Sequence, residues 1–155
     1  MKILLVQSML YAPSLGGANK ASRRLLEGLA ESSHVCRAIA PSTGSHGPQS
    51  REEFRETLRL SGIELASTYN GIDLFRQNGV EVHALSITSE LAGYTALQAS
   101  DFEPDITIVA SQDPGQMLLE AALKTEIGQV VSLVQAPWDL PFGPSAIFPS
   151  RKGTE

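Results

Sequence analysis

A chain of 155 residues suffices for one ordinary domain, which at that size buries roughly 70% of its unfolded surface. Apolar residues make up 42% and charged residues 19%, the proportions of a water-borne globular protein. The net charge of −5 argues against a general electrostatic grip on nucleic acid or on an anionic membrane. No apolar run approaches the ~18 residues that span a bilayer, and the single cysteine, Cys36, cannot close an internal disulfide. A cytoplasmic location is the simplest expectation.

The opening MKILLVQSML has the lysine and short apolar run of a signal peptide. No A-x-A-like site follows it, however, and Tyr11, Pro13 and Gly16-Gly17 come next, so it reads as a first strand and its loop. Lys2–Ser8 is that strand, of the buried central kind, and Tyr11–Gly17 is loop. Helical periodicity runs from Asn19 to Glu31. It places Ala18, Ala21, Ser22, Leu25, Leu26 and Leu29 on one face, with Arg23, Arg24, Glu27 and Glu31 outside. Val35–Ala40 is a second strand, closing a right-handed β-loop-α-β unit. Pro41–Ser50, rich in Ser, Gly and Pro, is expected to be a mobile surface loop.

Glu52–Leu60 reads as a charged helix stopped at Gly62, and Ile63–Thr68 as a strand. In IDLFRQ-NG-VEVHAL, Asn78-Gly79 suits a type I′ turn between two alternating segments, a hairpin. A helix over Ser89–Ala99, a buried strand over Asp105–Ala110, a helix opened by Pro114 and running to Thr125, and a strand over Gln129–Val134 follow. The tail from Ala136 carries four prolines and no regular pattern. Strands alternating with helices predict an α/β fold, a Rossmann-like three-layer sandwich on a mainly parallel sheet with one antiparallel hairpin added.

Three segments offer chemistry, all expected on the carboxyl edge of the sheet, where doubly wound folds bind ligands. The first is Leu15-Gly16-Gly17-Ala18-Asn19-Lys20. Two glycines let a backbone approach a ligand closely, and the helix that follows offers unpaired N–H groups and a positive dipole end. Lys20 adds a charge. On the alternative reading Gly16 and Gly17 only make a tight turn and Asn19 only caps the helix. The spacing is neither the dinucleotide fingerprint nor a phosphate-binding P-loop. The second segment is Ser111-Gln112-Asp113-Pro114, where Asp113 either accepts hydrogen bonds from ligand hydroxyls or caps the next helix. The third is Gln135-Ala136-Pro137-Trp138, in which Trp138 either offers an aromatic face to a sugar or packs in an interface. His34, His46 and His83 show no metal-ligand spacing, and His83 is expected to face outward from its hairpin strand. Nothing resembles a nucleophile elbow or a Cys–His pair. Cys36 reads as a small core residue.

Taken in order, KILLVQSMLYAPSLGGANKASRRLLEGLA, the NGVEVHAL arm, FEPDITIVASQDPG and VVSLVQAPWDLPFGP resemble the N-terminal domain of retaining GT-B glycosyltransferases of the large family four. The resemblance spans essentially the whole chain. It implies that Gly16 and Gly17 pack their backbone against the donor diphosphate, or the acceptor hydroxyl beside it, with Asn19 and Lys20 opening the helix behind them. It places Ser111 and Asp113 in a catalytic loop beside the transferred sugar, and Gln135, with Trp138, on the substrate side, Gln135 standing where a His can occur. The implied co-substrate is a nucleotide-sugar such as a UDP-sugar, with no further cofactor and no metal, and the acceptor is a saccharide or a lipid-linked saccharide. Transfer in such enzymes is described as same-face attack in which the leaving diphosphate takes the acceptor proton, so no protein base is required.

Members of that family continue into a second Rossmann-like domain that carries most donor contacts and a pair of glutamates. Residues 1–150 are therefore expected to be the acceptor-side domain, truncated, and 151–155 the start of a helix. Trp138, Leu140, Phe142 and Phe148 leave room for a peripheral membrane contact, a partner domain or nothing specific. Two other readings stand beside this one: a stand-alone nucleotide- or phosphosugar-binding module, or half of a GT-B-type epimerase. A receiver-like domain is disfavoured, because Gln7 and Ser8 stand where it needs acidic residues.

Overall fold

The computed structural model describes residues 1–110 and 112–135; Ser111, Trp138 and the stretch 151–155 lie outside them. Seven strands, β1 (Lys2–Val6), β2 (Val35–Pro41), β3 (Leu65–Tyr69), β4 (Ile72–Gln77), β5 (Val80–Leu85), β6 (Ile106–Ala110) and β7 (Gln129–Leu133), form one sheet in the order β3-β4-β5-β2-β1-β6-β7. The strands from β5 through β2, β1 and β6 to β7 run parallel, while β4 is antiparallel to both β3 and β5. The expected single hairpin is thus a three-stranded meander whose last strand belongs to the parallel sheet. The helices are α1 (Gly17–Glu31), α2 (Arg51–Leu60), α3 (Leu91–Phe102) and α4 (Met117–Lys124). None is long and apolar enough to cross a membrane.

Alternation along the strands builds two cores. Ile3, Leu5, Cys36, Ala38, Phe75 and Val82 face Leu26 of α1 and Phe54 and Leu58 of α2. Leu4, Val6, Ile39, Leu85 and Val109 face Leu91 and Phe102 of α3 and Leu118 and Ala122 of α4. Both faces of the central parallel strands β1, β2, β5 and β6 are covered, as parallel sheets require, which makes this a Rossmann-like three-layer sandwich.

That second layer corrects the reading of His83. Its alternation with Val80 and Val82 does put it on the opposite face, but the face is roofed by α3 rather than open to water, and His83 is 4% exposed. The inner face of α1 is also more polar than expected. Asn19, Ser22 and Glu27 are buried with Leu26, whereas Ala21 and Leu25 are exposed. Glu27 turns inward because Asn78, in the hairpin turn, donates to it at 3.0 Å.

Local signals explain several boundaries. Asn78 and Gly79 take φ of 48° and 81°, the values of a type I′ turn, and pair Gln77 with Val80. Ser50 caps α2 by accepting from the Glu53 N–H at 3.1 Å, and Glu53 reaches back to the Gln49 N–H at 2.8 Å, a variant of the reciprocal capping box. Gly62 ends α2 with its N–H on Arg59 O and the Ile63 N–H on Leu58 O, a Schellman closure. Opposite α2, Asp73 on β4 is fully buried and receives paired bonds of 2.7–3.1 Å from both Arg51 and Arg55, with Thr68 adding a third donor at 2.9 Å. These bonds fasten α2 to the meander.

The segment from Pro41 to Ser50 is not a loose loop. Gln49 Nε2 donates to the carbonyls of Gly44 and Gly47 at 2.8 and 2.6 Å, and Gly44 N donates to Pro48 O at 3.1 Å. Gly47 sits so tightly on the first loop that a Cβ there would come within 2.5 Å of Leu10 and 3.4 Å of Leu15.

Candidate functional site

From β1 the chain runs outward in one direction to β2 and β5, and in the other to β6 and β7. The reversal lies between β1 and β6, so the chain leaves their carboxyl ends toward opposite faces, the place at which doubly wound folds bind ligands. The two loops meet there: Ser8 Oγ donates to the backbone carbonyl of Gln112. Just before it, Gln7 is buried, with Nε2 donating to Met9 O at 2.7 Å and Oε1 without a hydrogen-bond partner. Gln7 had no sequence signal beyond its place after an apolar strand. Behind the loop, the Tyr11 hydroxyl is buried and unbonded, and burial, with Glu27 adding to it, pushes the phenol well above its ordinary value.

Gly16 is the N-cap of α1, with φ 80° and ψ 161°, a backbone conformation open in practice only to glycine. Gly17 begins the helix two residues before the expected start. It has an ordinary φ, and nothing lies within 4 Å of where its Cβ would be. The fold therefore requires glycine at 16 and not at 17. Asn19 is not the cap: it is buried in the first turn, and its Nδ2 donates back to Leu15 O at 2.8 Å. Lys20 is exposed, and its N–H closes the first helical bond onto Gly16 O at 3.2 Å. The first turn has neither a capping side chain nor an acidic residue, so its leading N–H groups and dipole end face outward uncompensated.

Asp113 takes its structural role. Its carboxylate accepts from the N–H groups of Leu118 and Leu119 at 3.0 and 2.9 Å. It caps α4 across a 3-10 turn, Pro114–Gln116, in which Gly115 and Gln116 have φ of 68° and 54°. Pro114 thus opens that turn, and α4 itself begins at Met117. Gln135 lies beside α1, with Nε2 donating to Ala18 O at 2.9 Å and to Ser22 Oγ at 3.1 Å. It ties the exit of β7 to the helix that Gly16 and Gly17 open. The structure therefore brings Gly16, Gly17, Asn19, Lys20 and Gln135 together at one helix start, and links Asp113 to the same edge through the Ser8–Gln112 bond. Among the described residues no group of three or more His, Cys, Asp or Glu could hold a metal ion.

No protein-family model matches the chain, and no curated protein or solved structure matches it either. What its own geometry defines is a Rossmann-like α/β domain with a strand-order reversal between β1 and β6, beside which α1 begins without a side-chain cap.

Proposed function

We propose that the chain is the acceptor-side half of a retaining GT-B glycosyltransferase, working with a C-terminal domain that holds most of the nucleotide-sugar. The observation that supports this most is Gly17: a glycine without a local steric or conformational need, at the uncapped start of α1, on the edge where such folds bind anions. A side chain there would project into open space, which is where a donor diphosphate would lie.

On this reading the backbone of Gly16 and Gly17 approaches the diphosphate, and the dipole end of α1, with Lys20, steadies its charge. Asn19 and Gln135 act by holding the helix start in place. Asp113 fixes the β6–α4 loop, which faces the sugar. The acceptor oxygen attacks the anomeric carbon on the face the diphosphate leaves, the bond from that carbon to the diphosphate oxygen breaks, and the acceptor proton passes to the departing oxygen. A nucleotide-sugar such as a UDP-sugar is the co-substrate and a saccharide or lipid-linked saccharide the acceptor.

The test is sugar-dependent release of nucleoside diphosphate across a nucleotide-sugar panel, with this chain alone and joined to the domain it works with. Release by the joined protein and not by the chain alone is expected, and Gly17→Val should abolish it with the fold intact. Binding without release from any donor would instead favour a phosphosugar-binding module. Full activity in Gly17→Val would overturn the diphosphate contact.

A further inference from the structure

On the face of the sheet away from α1, a polar cluster centred on the buried His83 joins α3 to three strands. Both ring nitrogens of His83 are engaged: Nδ1 is 2.7 Å from Tyr94 Oη and Nε2 is 3.0 Å from Glu81 Oε1. Glu81 is also held by Arg37 of β2 at 2.7 Å and lies 3.4 Å from Arg76 of β4. Arg37 reaches Gln98 of α3 at 2.6 Å and Asp101 at 3.6 Å, and its guanidinium stands 4.3 Å over the Phe102 ring. Tyr69, at the end of β3, adds only a weak electrostatic influence on Tyr94.

The partners fix the tautomer. An ion-paired carboxylate only accepts, so Nε2 carries the hydrogen toward Glu81; Nδ1 is then an acceptor, and the Tyr94 hydroxyl donates to it. Both ring nitrogens and the oxygens they meet are satisfied while the ring is neutral. A proton added at Nδ1 would face the Tyr94 hydroxyl donor to donor, forcing that hydroxyl to turn away. It would also place a cation in a buried site beside Arg37. Once the ring is in water, neither cost applies.

We propose that His83, Tyr94 and Glu81 form a proton-sensitive latch, which fastens the first turn of α3 to the sheet at neutral pH and releases it as the solution turns acidic. Beside these polar bonds, that turn is held by Leu91, which is buried in the second core with Ala92 and Tyr94 packed against it. The turn has no capping side chain, and Gly93 within it is exposed.

The sign follows from linkage. Burial, reinforced by Arg37 and only partly offset by Glu81, sets the His83 ring below its ordinary value of 6.5. The closed state therefore refuses a proton that the open state accepts. The latch is fully closed above that value and weakens as pH falls from it toward the ring's own midpoint, by up to about tenfold in the opening constant per pH unit for one proton. Glu81 stays charged through this window, because the bonds from His83 and Arg37 outweigh its burial and keep it below the ordinary carboxylate value.

Amide hydrogen exchange of this chain between roughly pH 5 and pH 7.5, where histidine titrates, reads the latch directly. After correction for intrinsic rates, exchange at Thr95–Gln98, whose N–H groups bond the carbonyls of that first turn, should rise severalfold on the acid side, while the amides of β6 change little. His83→Gln should remove that dependence. If His83→Gln does not fold, the ring proton resonances of the unaltered chain serve instead: His83 should still be neutral at 6.5 and titrate below it. A flat α3 profile, a slope that survives His83→Gln, or a His83 ring that titrates at or above 6.5 would each overturn the proposal.

Discussion

Two guanidinium groups and a hydroxyl converge on the single carboxylate of Asp73. Burial alone would raise its pKa, but the bonds from Arg55, Arg51 and Thr68 outweigh that and hold it at about 2, against an ordinary 3.8. A carboxyl lowered in the folded state stabilises fully above its unfolded value and loses that contribution as pH falls toward the folded one. The Asp73 contribution, on the order of 2 kcal/mol, is therefore present above 3.8 and gone near pH 2. Asp73→Asn should cost about 3 kcal/mol in urea unfolding at neutral pH, because it leaves Arg51 and Arg55 without their charge partner. The gap between variant and unaltered protein should close in acid. Asp113→Asn is a milder change, since the amide oxygen still accepts from one of the two N–H groups although its NH2 faces the other. A loss of about 1 kcal/mol or less is expected, and a larger fall in sugar use than in stability would mark a direct role at the candidate site.

The helices and turns separate glycines that the fold requires from others, Gly17 among them, that it does not. Gly128 leads into β7 with φ 66°, and a Cβ there would stand 2.2 Å from Pro104 O and 2.7 Å from Asp105 O. Gly128→Ala should therefore destabilise by about 3 kcal/mol, from backbone strain and from contact that cannot relax. Gly17→Ala, at a helix start with open space around it, should be neutral or raise stability by about 0.5 kcal/mol. A matched pair of melting curves checks both. The sequence carried the Asn78–Gly79 hairpin and the stop at Gly62, because each depends on dihedrals set by a few neighbouring residues, but it placed the start of α1 at Asn19, two residues late. It could not carry Gly128, whose constraint is a carbonyl on another loop. Nor could alternation tell whether the face opposite Val80 and Val82 met water or a helix, which is why His83 was misplaced. Gln49 and Leu10 order the segment from Pro41 to Ser50 through contacts its composition does not encode. Asp113 and Gln135 were located at the right edge, but the N–H and carbonyl groups they engage could only be seen in three dimensions.

Across the whole sheet, order in space and order along the chain diverge. β1 is central, flanked by β2 and β6, and each partner reaches it from a different distance in sequence. Ile3 pairs with Cys36 on one side and with Ile106 on the other, and Gln135 closes onto Ala18 over 117 residues. Loop-closure entropy grows only slowly with length, by about 0.6 kcal/mol per doubling, so the folded state loses little by this arrangement. Its cost falls on timing. On a ribosome adding ~5–20 residues per second, Ile3–Val6 leaves the tunnel with one flank uncovered and waits roughly 5–20 s for β6 to be made. During that interval a strand with four consecutive apolar residues, all buried in the folded state, is an open edge, the kind that seeks other chains. The strand that later anchors the candidate site is the one a nascent-chain chaperone would have to shield first.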